Sequence, residues 1–161
     1  MKPIVAILMG SDSDASSLKP CGNVLRELGI PFVAKVLSAH RTPDEAVEFV
    51  KSAKKNGIKV VIAAAGGAAH LAGVSAANTL LPVIGIPVET SSLHGMDSLL
   101  STVQMPAGTP VATVAIGSGG VKNAAFLAAR ILALQDSKIE KSLEKYKEDN
   151  KNKILSKEVS L

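Results

Sequence analysis

At 161 residues, the chain has the length of one domain and is long enough to bury a sizeable core. Aromatic residues make up only 2% of it against 47% apolar, which implies an aliphatic, alanine-rich core and argues against nucleic-acid binding through stacked bases. The net charge is +4, and the single Cys21 excludes an internal disulfide and a cysteine metal cluster, which fits a reducing, cytoplasmic setting.

Residues 1–10 carry one lysine and run straight into a strand pattern, too short for the apolar region and cleavage site of a signal peptide. The first predicted strand is 4–9, followed by "GSDSD" and a helix over 13–28. That loop pairs hydroxyls with carboxylates. Ser11 and the neighbouring amides suit a phosphate, whereas a carboxylate beside a phosphate is repulsive but accepts hydrogen bonds from a sugar diol. A ribose phosphate satisfies both, with Asp14 on the ribose and Asp12 as the helix cap.

A second strand, 32–37, leads into "SAHRTPDE" and a helix over 43–55. Here Thr42 reads as N-cap, Pro43 as the first helical residue and Glu45 as the partner that completes a capping box. His40 and Arg41 are thereby fixed in a short loop beside Ser38. Arginine suits phosphate or carboxylate, and histidine is the side chain that moves protons near neutral pH. The alternative is an exposed His and Arg beside a cap.

The third strand, 60–65, runs into "AGGAAHLAG" and a helix over 68–79. Gly66 and Gly67, then Ala68, let a ligand approach the backbone, and successive amides opening a helix form an anion nest. Tight helix-on-sheet packing also explains the small residues, but not His70 in the first turn of an apolar segment. A strand over Val83–Val88, a loop containing His94, a helix over 98–104, a strand over 111–116 and a helix over 122–134 follow. The tail from Lys138 alternates in sign, with seven Lys against five Asp or Glu, and reads as one solvated terminal helix docked on the body or a neighbouring subunit.

Strands apolar on both faces and separated by helices indicate a parallel sheet covered on both sides. Right-handed crossovers make this a doubly wound α/β sandwich of about five strands, with ligands bound at the carboxyl ends of the strands. Residues 60–88 contain no charge, yet Gly66, Gly67, Gly73, Pro82, Gly85 and Pro87 break the run, so it is no transmembrane helix. Between 60 and 134 only Glu89, Asp97, Lys122 and Arg130 are charged. So neutral a half predicts a subunit interface and a closed homo-oligomer.

The motifs "GSDSD", "SAHRTPD", "AGGAAHLAG", "LPVIGIPV", "DSLLSTVQMP" and "VATVAIG…NAAFLAARIL" occur in this order. Together they closely resemble the class I N5-carboxyaminoimidazole ribonucleotide mutase family of purine biosynthesis, from about residue 4 to 134. The resemblance implies a three-layer α/β/α flavodoxin-like fold and a homo-octamer, and length, tail charge and cysteine usage add the expectation of one cytoplasmic domain over 1–161 (core 1–134, helical tail 138–161). The resemblance also implies an isomerase that carries a carboxylate from the exocyclic nitrogen of 5-aminoimidazole ribonucleotide to ring carbon C4. Carbon dioxide is then the intermediate, without metal, biotin or nucleotide cofactor. By position, phosphate falls to Ser11, Ser38 and Arg41, ribose to Asp14, and proton transfer to His40. Gly66, Gly67, Ala68, His70 and Leu71 line the carboxylate pocket. Departures include Ala72 after "HL" and Gly119-Gly120 in place of a glycine–alanine pair. The competing expectations are a carboxylase acting on free carbon dioxide and a flavodoxin-like binding module without chemistry.

Overall fold

The computed structural model describes residues 1–159. Five parallel strands, β1 (Val5–Met9), β2 (Phe32–Val36), β3 (Val60–Gly66), β4 (Val83–Val88) and β5 (Ala112–Thr113), pair in the order β2-β1-β3-β4-β5. The helices are α1 (Ala15–Glu27), α2 (Pro43–Ala53), α3 (Leu71–Ala77), α4 (Met96–Val103), α5 (Gly117–Ala133) and α6 (Ser137–Leu155). The strand order reverses between β1 and β3, and at such a switch point the loops part to leave a crevice.

Side-chain alternation along the strands builds two cores, one on each face of the sheet. Val5, Ile7 and Met9 of β1 join Val60, Ile62 and Ala64 of β3 against α1 and α5. Ala6, Leu8, Val61 and Ala63 point the other way, against α2 and α3. Ala124, Ala125, Ala128 and Ala129 of α5 are completely buried, so this helix lies close on the sheet through methyl groups. The aliphatic, alanine-rich core expected from composition is present, in three layers.

The element ends differ from expectation where glycine acts through tertiary contacts. The last strand shrinks from 111–116 to Ala112–Thr113, and α5 begins at Gly117 rather than 122. Gly117 takes a φ of +82°, which turns the chain out of the sheet. Gly120 then packs so close on the Ala115 carbonyl that a Cβ would have no room. The third helix is also shorter than the expected 68–79, because residues 67–70 are drawn into a tight loop.

Asp136 caps α6 by accepting the amides of Lys138 and Ile139. The helix docks through Ile139, Leu143 and Tyr146, with the Tyr146 and Phe126 ring centroids 4.6 Å apart. Two exposed ion pairs, Lys145–Asp149 and Lys151–Glu148, lie along it and contribute little stability. Among the described residues no helix is long and apolar enough to cross a membrane.

Candidate active site

Because β1 lies between β2 and β3, the loops that follow these three strands meet at one end of the sheet. They enclose a cavity of about 310 Å³. Gly10, Ser11 and Asp14 enter it from the first loop, Ser38, His40 and Arg41 from the second, and Gly66, Ala68 and Leu71 from the third. Ala39 and Ala65 complete the wall; nothing in the sequence marked them, because alanine carries no chemical signal. Four larger clefts, of about 830, 790, 500 and 440 Å³, open elsewhere on the surface. None of them is lined by a histidine, so the chemistry singles out the smaller cavity.

Ser38 is nearly buried at 9% exposure. Its Oγ accepts the amides of Arg41 at 3.1 Å and His40 at 3.4 Å, leaving its own proton free to donate into the cavity. Thr42 ties the same loop: its Oγ1 accepts the Ser38 amide at 2.9 Å and donates to the Ser38 carbonyl at 3.2 Å. The expected capping box is therefore not formed. Thr42 is the N-cap by position, but its side chain makes no capping bond, because the loop claims its hydroxyl. The Arg41 guanidinium donates through Nη2 to the Gly10 carbonyl at 2.5 Å and so joins the second loop to the first.

The first loop corrects another expectation. Ser11, not Asp12, caps the short turn Asp12–Asp14, with its Oγ accepting the Ser13 amide at 3.3 Å and the Ser13 hydroxyl at 2.9 Å. Ser11 in turn donates to Asp12 Oδ1 at 3.2 Å, so that proton must swing away from Asp12 before it can serve a ligand. Asp14 makes no side-chain capping bond. Burial lifts its carboxyl above the usual range. The Ser11 backbone and the Arg41 charge pull it back in part, while Asp12 pushes it further up.

His40 lines the cavity, whereas His70, expected to line it too, lies outside the lining and reaches the site only through His40. Nε2 of His40 lies 2.8 Å from Nδ1 of His70, with ring centroids 4.9 Å apart and planes near perpendicular at 84°. One nitrogen must donate and the other accept, so the rings share a single proton at this contact. The two are one protonic unit.

The third loop spends part of the amides expected to form an anion nest. The Gly67 amide donates to Ser98 Oγ at 2.9 Å, Ala69 N–H to the Gly67 carbonyl and His70 N–H to the Ala68 carbonyl. Those three amides are engaged internally, and Gly67 does not line the cavity. Gly66 is held tight against β4: a Cβ there would meet Thr90 Cγ2 at 3.4 Å and Val88 at 3.6 Å. Sequence reasoning missed the polar group behind this loop, Thr90, Asp97 and Ser98. Its signal was "DSLLSTVQMP", whose Asp97 is one of very few charges in a neutral half.

A flavodoxin-like sheet whose switch-point loops bring hydroxyls, a guanidinium, a carboxylate and His40, with His70 against it, to one cavity places the chain in a class of α/β enzymes. Within that class the chain belongs to the AIR carboxylase family, whose pattern matches residues 4–153. It is 52% identical over 155 residues to the N5-carboxyaminoimidazole ribonucleotide mutase of Bacillus subtilis, covering 96% of each chain. It is also 52% identical to the mutase of the same name from Pyrococcus horikoshii, covering 97% of this chain and 87% of that one. The crystal structure of Treponema denticola PurE superposes with a TM-score of 0.86 at 34% identity, covering 95% of this chain and 94% of that one.

Proposed function

We infer that this protein is an N5-carboxyaminoimidazole ribonucleotide mutase, an isomerase of purine biosynthesis. The identity to relatives of that name supports the reading, and the observation that carries the chemistry is His40, which lines the cavity with its ring backed by His70. In this reading Ser38 and Arg41, with Ser11 once its proton turns outward, hold the phosphate. Asp14 accepts from the ribose hydroxyls. The nucleotide thus anchored presents its aminoimidazole to the histidines.

The N–carboxyl bond breaks with its electron pair left on nitrogen, and His40 delivers the proton that nitrogen takes up. Carbon dioxide is released against Gly66, Ala68 and Leu71, a wall without charge. Gly67 supports that wall from behind, and water has little reason to enter. Ring carbon C4 then attacks the gas, forming the new carbon–carbon bond, and His40 removes the C4 proton. One residue that gives and then takes a proton closes the cycle without net change. His70 orients His40 and borders the carboxylate. No step calls for metal or cofactor.

The test supplies the N-carboxy nucleotide without ATP and follows appearance of the C4-carboxy isomer. Turnover of 5-aminoimidazole ribonucleotide with carbon dioxide but not of the N-carboxy nucleotide would make the protein the carboxylase instead. The exposed apolar side chains Leu93, Met96, Leu100 and Val103 support a closed homo-oligomer, an octamer in this reading, built from one domain with core 1–134 and tail 138–161. A fully active monomer in light scattering would overturn that assembly. A cytoplasmic location completes the proposal.

A further inference from the structure

The segment "DSLLSTVQMP" has no part in the steps above, yet its first residues lie directly behind the pocket loop. Gly66, Gly67, Ala68 and Ala69 have no side chain that can hydrogen-bond, so the loop carrying His70 has no side chain of its own to tie it to the sheet. Ser98, in the first turn of α4, supplies the anchor. Its Oγ accepts the Gly67 amide at 2.9 Å and donates to the Val88 carbonyl of β4 at 2.7 Å. The serine is fully buried and does not line the cavity.

The anchor is itself held. The Asp97 carboxylate accepts the Ser98 amide at 2.9 Å and the Thr90 hydroxyl at 3.0 Å. Ser101, one turn on, donates to the Asp97 carbonyl at 2.6 Å, with the Gly67 carbonyl further off at 3.3 Å. Gly67 is kept in a left-handed conformation, φ +67°. From there two tight bonds run forward, Ala69 N–H to the Gly67 carbonyl at 2.8 Å and His70 N–H to the Ala68 carbonyl at 2.9 Å.

We propose that Ser98 is a positioning residue for carboxyl transfer, setting His70 against His40 through the Gly67 peptide. The inference rests on the mutase reading. Displacing a reacting or orienting group by 1 Å can cost about a hundredfold in rate, and Ser98 is the buried side chain that ties the Gly67 peptide to β4 against such a shift. The nucleotide-binding side chains Ser11, Asp14, Ser38 and Arg41 belong to the other two loops, so Ser98 acts on the rate and not on the binding.

The experiment measures steady-state turnover of the N-carboxy nucleotide and, separately, binding of 5-aminoimidazole ribonucleotide, on the full chain. Ser98→Ala is expected to lower kcat about ten- to a hundredfold with KM and nucleotide affinity essentially unchanged. If Ser98→Ala fails to fold, Gly67→Ala probes the same anchor. Its Cβ would meet nothing nearer than Asp97 Oδ2 at 4.0 Å, so it fits but opposes the left-handed φ, and the same kcat-only loss is expected. Normal kcat in a folded variant overturns the proposal, as does a loss shared with nucleotide affinity. An inactive wild-type protein overturns the mutase reading and this proposal together. An active wild type with an undisturbed Ser98→Ala overturns this proposal alone.

Discussion

His40 Nε2 and His70 Nδ1 stand 2.8 Å apart although thirty residues separate them in the chain. Each ring comes from a loop on a different side of β1, so the contact exists only because the sheet places β2 and β3 on either flank of that strand. In the mutase reading His40→Asn removes the group that gives and takes the proton. Turnover should then fall roughly 10²–10⁴-fold, while binding of 5-aminoimidazole ribonucleotide and the wild-type oligomeric state persist. His70→Asn should do less, since an amide can still border the carboxylate. Near-normal turnover in His40→Asn beside a dead His70→Asn would exchange the two roles.

Arg41 ties two loops together, and in the mutase reading it also holds the phosphate, a pair of tasks that lysine cannot perform at once. Its Nη2 binds the Gly10 carbonyl, and its planar fork suits a phosphate by two parallel bonds. A lysine offers a point charge that can satisfy one of these partners at a time. Arg41→Lys should weaken nucleotide binding by about 1–3 kcal/mol, as for a charged hydrogen bond left unmade. Titration calorimetry with 5-aminoimidazole ribonucleotide checks it, and unchanged affinity would remove Arg41 from the phosphate site.

Asp14 links binding to pH. Burial raises its carboxyl above the usual range in the folded chain. As pH rises, the unfolded chain therefore ionises first, and Asp14 favours the fold only at acid pH. That contribution is lost as pH rises through the folded value. At neutral pH the ionised carboxylate is a net burden on the ligand-free protein, which the proposed ribose contact would account for. Asp14→Asn should make the free protein slightly more stable at pH 7, with the gain fading below the carboxylate range, and should weaken nucleotide binding. Urea titrations at neutral and acid pH read the first effect. A variant less stable at pH 7 would contradict the sign.

The parallel sheet was legible because its strands are apolar on both faces, and the three loops because polar groups follow each strand abruptly. Local chemistry at the loops was harder to read. Thr42, Pro43 and Glu45 spell a capping box, but the Thr42 hydroxyl has a nearer partner in the Ser38 backbone. Asp12 looked like a cap, yet Ser11 reaches the Ser13 amide first. Gly66 and Gly67 suggested free amides, and a serine thirty-one residues on takes the Gly67 amide. The first two misses are local competitions, Thr42 with Ser38 and Ser11 with Ser13, and only the third is made through the fold, from Gly67 to Ser98.

Gly119 and Gly120 stand side by side near the start of α5, and the sequence gives no reason to treat them differently. The structure does. Gly119 is exposed, and a Cβ added there meets nothing within 4 Å. Gly119→Ala should fit and should stabilise the helix by up to about 1 kcal/mol, because glycine is the more flexible residue when unfolded. Gly120 is buried, and its added Cβ would lie far inside contact distance of the Ala115 carbonyl oxygen, with Ala115 Cα at 3.1 Å. That neighbour is backbone in the link from β5 to α5 and cannot rotate away as a side chain could. Gly120→Ala should cost about 1–3 kcal/mol or more by overpacking and push α5 off the end of the sheet. Urea midpoints of the two variants, at equal denaturant slope, should move in opposite directions from the wild type. A Gly120→Ala midpoint at or above the wild-type value would show that the close approach at Ala115 is not what sets the start of α5.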